Sequence, residues 1–377
     1  MPENLTDEQR TLKQTVDDFV EATLGRLEAE IDADPDAVRK QVIQASKDRG
    51  LFTKTQPRAF GGTEAGIVEL TLIRETLAAS NLRTAEWVLG PGPGALAGAT
   101  GGLKLRYLDA VLAGDKRGAF GFTEPDDTQR PTWAKRDGDS LVIHGRKSYV
   151  TGGDTADFVA ALVNVQADEE HPKGTAMVVV DRDTPGLILE ETFESLDGST
   201  HASMMFDGVR VPTSNVIGQI GEGMPRALRQ IGDVRIMVSA QATGMMIWTL
   251  NHLEQTLQAP HRSGSPLSSR EGVRLRFADL RIQAYAARSM LYRTCRLAAD
   301  GENVVNEAIA TKIFCTEAAG RIIDEALQLS GGKALVVGHP LERLYRRVRA
   351  LRLAEGASDL LRLNLAKGRF ELNKGRI

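Results

Sequence analysis

Cysteine is nearly absent from this chain: Cys295 and Cys315 are the two among 377 residues. That scarcity excludes a disulfide framework, and since both fall in helical patterns, buried neutral thiols are expected. No metal centre is expected either. Net charge is also slight, 47 basic against 50 acidic residues giving −3, so no electrostatic case exists for a nucleic-acid partner. No stretch approaches the roughly 18 consecutive apolar residues of a membrane span. The opening Met1-Pro2-Glu3-Asn4-Leu5-Thr6-Asp7 is acidic and lacks an apolar signal core, so a cytoplasmic protein is expected. Internal repeats and low-complexity tracts are missing, the loop from Ala167 to Lys173 being merely charged.

What is present is a globular composition, 42% hydrophobic and 26% charged, long enough for two or three domains and a large core. Residues 5 to about 117 read as helices. Thr6 and Gln9 make a capping box, and Leu12, Val16, Phe19, Val20 and Leu24 recur at helical spacing. Phe60-Gly61-Gly62 is a corner before a helical run around Ile67 to Leu77, and Trp87 to Gly102 is rich in Gly, Ala and Pro. Such a tract suits close helix packing or approach of a ligand to the backbone. From about 118 to 218 strand-like runs take over. Leu141-Val142-Ile143 follows an Asp137-Gly138-Asp139 hairpin turn, and 158–163, 176–180, 186–189 and 209–212 are further strand-like runs. Long amphipathic helices then cover roughly 222–257, 268–300, 303–330 and 355–370. The order is α, β, α, with boundaries expected at 1–117, 118–220 and 221–377.

Three places stand out chemically. Leu353-Ala354-Glu355-Gly356-Ala357-Ser358-Asp359 sets a carboxylate between apolar residues and a glycine, 27 residues after Gln328. A carboxylate at such a helix start suits a carbon-acid base, because burial raises its pKa toward the operating pH; a solvated helix carboxylate is the bland alternative. Met224, Leu228, Ile231, Arg235, Val238 and Ala242 fall at helical spacing, and Arg235 is a charge on an otherwise apolar stripe. Its partner is a structural carboxylate, an acidic ligand or a catalytic carboxylate. The third place is the pair Phe120-Gly121-Phe122-Thr123-Glu124-Pro125 and Lys147-Ser148-Tyr149-Val150-Thr151. An aromatic with a hydroxyl can cover a flat heterocycle and hydrogen-bond its edge, while a strand end with turn chemistry explains the same residues. Arg343, Arg346, Arg347, Arg349 and Arg352 read as a solvated helix face or inter-subunit salt bridges, with phosphate binding as the other possibility.

Taken in order over essentially the whole chain, these segments resemble the acyl-CoA dehydrogenase family of flavoproteins. The matching motifs are Thr123-Glu124-Pro125, Tyr149-Val150-Thr151, Val211-Pro212, Gln328 to Gly332, Pro340 with Glu342-Arg343, Arg346, Arg349 and Glu355-Gly356. The resemblance implies an α+β fold with an N-terminal helical domain, a middle β-barrel-like domain and a C-terminal four-helix bundle. It implies FAD as cofactor and an acyl-CoA thioester as substrate. Glu355 would remove the α proton while flavin N5 accepts the β hydride. The developing enolate oxygen would be met by the Glu355 backbone N–H and a ribityl hydroxyl, a preorganised arrangement.

Further positions carry over from the resemblance. Phe120, Phe122, Thr123, Tyr149 and Thr151 would lie at the flavin. Gln328, Gly331 and Gly332 would hold the adenosine part from a second subunit, and Ala357, Ser358 and Asp359 would meet the diphosphate or adenosine again. Arg235 and Gly356 would lie at the substrate. The resemblance also implies an electron-transfer flavoprotein as acceptor, a place in lipid metabolism, and a homo-oligomer, dimer or homotetramer, with a hetero-oligomer as the alternative.

This chain also departs from the family pattern. Where Gly-Ser-Asp is usual it has Thr128-Gln129-Arg130, so Thr128 and Gln129 take over the flavin contact and Gln129 the substrate contact. Position 149 is Tyr where Trp is common. Arg-x-x-Phe-Gly reads Pro260-His261-Arg262-Ser263-Gly264, leaving Arg262 to grip the neighbour's FAD. Lys333-Ala334 follows the glycine pair, and Arg347 replaces a common Asp. Two alternatives follow: a non-catalytic subunit of a hetero-oligomer, and a flavin oxidase on the same scaffold. The alternative base position near Arg235 offers Asp233. The acyl pocket is expected between 88–102 and 234–248.

Overall fold

The structure, a computed structural model, describes residues 4–169, 172–232 and 234–373, with the backbone alone for 228–232. Asp233 lies outside the described residues. Contacts divide the chain into two compact units, one from Met1–Phe52, Ala65–Leu89 and Asp233–Ile377, the other from Thr53–Glu64 and Gly90–Gly232.

The first unit is helical. Its opening helix, Asp7–Phe19, carries the expected capping box, Thr6 and Gln9 each satisfying the other's backbone N–H. Helices Pro35–Asp48 and Ile67–Ala78 follow, then Val234–Gln258, Glu271–Ala299, Val305–Ser330, Pro340–Ala350 and Ser358–Phe370. Glu271–Ala299 and Val305–Ser330 start within three residues of the positions periodicity gives, whereas the stretch expected as one helix over 222–257 is described as two, Gly223–Gly232 in the second unit and Val234–Gln258 in the first. The last starts later than expected: Glu355 belongs to the turn before it. The bundle core joins Val238, Met245 and Leu253 to Ile322, Leu344 and Val348.

Two details fix the packing of this unit. Gly244 meets the helix Ile67–Ala78 so closely that an added Cβ would lie 2.4 Å from the Glu75 carbonyl oxygen and 2.5 Å from the Ala78 Cβ. Beside it Glu75, 3% exposed, forms a forked ion pair with Arg288, both contacts 2.8 Å, and accepts from the Tyr292 hydroxyl at 2.8 Å. A buried carboxylate is tolerated because all its strong contacts are made. Cys295 and Cys315 are buried and unbridged, as expected. Burial pushes the Cys295 thiol up to about 11 and raises Cys315 further still.

The second unit is built on a seven-stranded sheet: β1 Gly118–Gly121, β2 Trp133–Asp137, β3 Ser140–Thr151, β4 Phe158–Val165, β5 Gly174–Asp181, β6 Leu187–Glu194 and β7 Thr200–Pro212. The order is β1-β4-β2-β3-β7-β6, with β5 on β4. β4 runs parallel to β1 and β2, and the other pairs are antiparallel. The Asp137-Gly138-Asp139 turn joins β2 to β3, with Gly138 at φ 57°. Period-two alternation explains the unbroken apolar run of β4. Val159, Ala161, Val163 and Val165 feed one core cluster. Phe158, Ala160 and Leu162 feed another, with Leu96, Tyr107 and Leu108.

Candidate active site

The turn between helices Pro340–Ala350 and Ser358–Phe370 is unusual in its backbone. Glu355 has φ 55° and Gly356 has φ 107°. A non-glycine residue in the left-handed region costs about 1–3 kcal/mol and marks a place where the surroundings over-determine the chain. The Gly356 position admits no larger residue easily, since a Cβ there would sit 3.0 Å from Leu361 Cδ2.

Lys312, on the helix Val305–Ser330, holds that turn. Its side chain is 0% exposed, and Nζ donates to the carbonyl oxygens of Gly356 at 2.9 Å and Arg352 at 3.1 Å. Arg235 Nε makes a longer contact, 3.4 Å, to the Glu355 carbonyl. Two cations therefore bracket one half-buried carboxylate. Burial raises the Glu355 pKa above its ordinary value; Arg235 and then Lys312 oppose this without cancelling it. Burial also pushes Lys312 down to about 8, with Arg235 adding to the effect. The Glu355 and Gly356 backbone N–H groups donate to no described residue, so two amides stay available beside the carboxylate.

In the second unit, the exit from β1 is tied to the end of β3. Ser148 N–H donates to the Thr123 carbonyl at 3.0 Å. Lys147, 1% exposed, pairs with Glu124 at 2.8 Å and donates to the Phe122 carbonyl at 3.2 Å. Phe120 and Phe122 stack at 5.9 Å. Tyr149 sits at φ 53° where the β3–β7 register shifts between Lys147 and Val150. The irregularity turns its ring outward, 63% exposed, with Phe193 edge-on at 5.3 Å. Thr151 Oγ1 shares a hydrogen bond of 3.2 Å with His201 Nδ1. The outcome is an exposed aromatic face with the Thr123 hydroxyl unengaged, the surface a flat heterocycle needs.

Other expected site residues fall in further segments of the two units. Gln328 is sixteen residues along its helix from Lys312, about 24 Å at 1.5 Å per residue. Its side chain is exposed, and Gly331 follows at φ 77°. Ala357 precedes the last helix, Ser358 Oγ donates to Arg352 O at 3.4 Å, and Asp359 is exposed. Arg262 lies exposed in the loop after helix Val234–Gln258. Gln129 is exposed, and Arg130 lies over Trp133 at 4.0 Å. Thr128 Oγ1 and Ser330 Oγ are buried and unpartnered, one in each segment assigned to the cofactor's polar parts. Within the second unit, the aromatic platform and the orphaned Thr128 hydroxyl fit the flavin part of FAD. Two of the five arginines in the run are paired, Arg346 with Glu342 at 2.7 Å and Arg347 with Glu86 at 2.5 Å.

Sequence reasoning missed Lys312. The signal was there: it lies among Ala308, Cys315, Thr316 and Ala319 on the buried face of its helix, the same pattern that singles out Arg235. Lys147 and the Glu75–Arg288 pair were missed for the same reason.

Comparison with known proteins agrees with this architecture. Residues 6–115, 119–209 and 221–369 match the family descriptions acyl-CoA dehydrogenase N-terminal domain, middle domain and C-terminal domain. An acyl-CoA dehydrogenase of Bacillus subtilis is 28% identical over 376 residues, covering 97% of this chain and 98% of that protein. Cyclohexane-1-carbonyl-CoA dehydrogenase of Geobacter metallireducens is 28% identical over 375 residues, with 97% and 98% covered. Among solved structures, a probable acyl-CoA dehydrogenase from Mycobacterium abscessus superposes with TM-score 0.82 at 26% identity, over 96% of this chain and 98% of that one. A glutaryl-CoA dehydrogenase of Mycobacterium smegmatis, solved with FADH2, shares the fold at TM-score 0.83 and 21% identity, with 97% and 95% covered. Fold and relatives define a flavin-dependent oxidoreductase acting on CH–CH bonds. The chain belongs to the acyl-CoA dehydrogenase family, whose members carry out FAD-dependent acyl-CoA dehydrogenation.

Proposed function

We propose that this protein oxidises the α,β bond of an acyl-CoA thioester to a double bond, with Glu355 as the base. The observation that carries this reading is the Glu355 turn: a half-buried carboxylate at positive φ, bracketed by Arg235 and Lys312. Burial makes the carboxylate a better proton acceptor, and the two cations keep enough of it ionised to work near neutrality. Its carboxylate takes the α proton, the electron pair of that C–H bond becomes the new π bond, and the hydride leaves from the β carbon. FAD, when bound, supplies the hydride acceptor. The free N–H of Glu355 is the protein's donor to the thioester oxygen, where negative charge develops. Arg235 and Gly356 line the substrate side, with Gln129 in place of the usual Ser.

Phe120, Phe122, Thr123, Tyr149 and Thr151 would hold the flavin ring, and Thr128 and Gln129 its phosphate. Gln328, about 24 Å along its helix from Lys312, and Gly331 and Gly332 just past that helix's end suit a cofactor shared with a neighbouring subunit, and Arg262 would reach it likewise. This supports a homo-oligomer; the family supports an electron-transfer flavoprotein as electron acceptor, and the three matched spans support domain boundaries near 117 and 220. Among the described residues no helix is long and apolar enough to cross a membrane. A panel of acyl-CoA substrates with an artificial electron acceptor tests the reading. Substrate-dependent bleaching of bound flavin is expected; a flavin-loaded protein that no acyl-CoA reduces would refute it, and rapid reoxidation by air would favour an oxidase.

A further inference from the structure

Two histidines of the first unit meet at the start of the helix Pro340–Ala350. His252, on the helix Val234–Gln258, stacks on Trp248 of the same helix, centroids 4.8 Å apart and rings 10° from parallel. His339 meets the His252 ring edge-on, at 5.9 Å and 76°. It is also the residue that caps the helix Pro340–Ala350, its Nδ1 accepting the Leu341 N–H at 3.2 Å. Ser, Thr, Asp and Asn are the usual caps, and none of them changes from acceptor to donor near neutral pH. An imidazole nitrogen accepts only while it is bare; protonation makes it a donor. A positive charge also opposes the helix dipole at that end.

The surroundings do nothing to steady a charged pair. The charged groups acting on His252 are His339 and Lys333, with no carboxylate among them. Burial, then these two groups, hold the His252 pKa below its ordinary value. In the first turns of the helix, Glu342 is already engaged, with Arg346 at 2.7 Å and the Gly338 N–H at 3.1 Å, and Arg343 acts on Asp32. The segment leading to His339 has few other anchors. Ala334 is its buried residue, whereas Leu335, Val336 and Val337 are 66%, 63% and 80% exposed. Its backbone bonds stay local, Val336 N–H to the Lys333 carbonyl and His339 N–H to the Val336 carbonyl.

We propose that His252 and His339 form an acid-sensitive latch on the segment 333–339. Neutral, the two rings pack together and His339 caps the helix. Protonated, they repel each other and the Lys333 ammonium, the cap is lost, and the segment comes away with the first turn of the helix. Because His252 takes a proton less readily in the folded chain than in the unfolded one, stability is full above about pH 6.5 and declines as pH falls below it. The start of the helix that leads to the Glu355 turn is thereby the acid-labile part of the unit.

Amide hydrogen exchange of the purified flavin-loaded protein, scaled to the intrinsic rate at each pH, tests this. Between pH 7.5 and 5.5, peptides covering 333–343 should lose protection at least about tenfold, while peptides from the helix Glu271–Ala299 keep theirs. His339→Asn supplies a cap acceptor that does not titrate and should hold the loss to at most about threefold. His252→Phe keeps a ring on Trp248 without the charge and should limit the loss to the same extent. Melting temperatures at pH 7.5 establish that each variant is folded, and either folded variant suffices for the comparison. Unchanged protection of 333–343 at pH 5.5, a folded variant that opens as the wild type does, or equal opening of the helix Glu271–Ala299 would overturn the proposal.

Discussion

The ammonium of Lys312 lies 2.9 Å from the carbonyl oxygen of Gly356, the residue that follows the proposed base. One buried side chain thus sets both the shape of the catalytic turn and part of its electrostatics, because Lys312 also pulls the Glu355 pKa down.

Replacing Glu355 by Gln keeps the shape of the residue and removes its basicity. Flavin content, read from the visible absorption spectrum, should be unchanged. The rate of flavin bleaching by substrate should fall by roughly 10²- to 10⁴-fold, the usual worth of a positioned general base. Unimpaired bleaching would place the base elsewhere.

Lys312→Met should act on rate and on pH dependence together. Loss of the two carbonyl contacts loosens the turn, and a displaced base lowers the bleaching rate by about ten- to a hundredfold. Glu355 works only when ionised, so the rate rises with pH through its pKa. Without the Lys312 charge that pKa moves further up, and the acid limb of the rate profile should shift to higher pH. Lys312→Arg, which keeps the charge, should leave the limb near its wild-type position. A variant that is slower with an unmoved limb would reduce Lys312 to a purely structural role.

The same lysine makes stability depend on pH. Its pKa falls from 10.5 to about 8 on folding, so between those values the unfolded chain holds more protons and stability rises with pH. Below about 8 the effect is flat. Above about 9 the two buried thiols, whose pKa values are raised, begin to act in the opposite sense. Melting temperatures measured between pH 7 and 9 should therefore rise for the wild type relative to Lys312→Met. A constant difference across that interval would contradict the buried, ionised lysine.

Glu75→Ala leaves Arg288 as a buried charge without its forked partner and strips the Tyr292 hydroxyl of its acceptor. Breaking a buried pair from one side costs about 3–5 kcal/mol, which should appear as a large drop in melting temperature. The double replacement Glu75→Leu with Arg288→Met should recover most of it, because the penalty comes from the stranded charge. A single variant as stable as the wild type would show the pair to be idle.

Much of the fold was legible because local chemistry and tertiary structure agree. The Thr6–Gln9 capping box, the Asp137-Gly138-Asp139 turn and the unbroken β4 run each specify their element without distant help. The glycine pair at 331–332 and Glu355-Gly356 were visible as motifs, and the comparisons establish the family they point to. Less legible was how these residues are held. Nothing in the sequence reports the positive φ of Glu355 or Tyr149, since both arise from long-range contacts that override local preference. Helix Ser358–Phe370 starts three residues after Glu355 for that reason: Lys312, 43 residues earlier, claims the carbonyls of the turn. A charge on an apolar stripe was read correctly as meaningful at Arg235, and the same rule applied at 312 and 147 would have found the two buried lysines.

Both cysteines lie in the first compact unit, and the second has none. A thiol-specific reagent therefore sees nothing until the helices around Cys295 and Cys315 part, and it stays blind to events in the sheet. The rate at which the native protein is trapped by such a reagent is a built-in clock for the breathing of one half of the molecule, readable without introducing a probe.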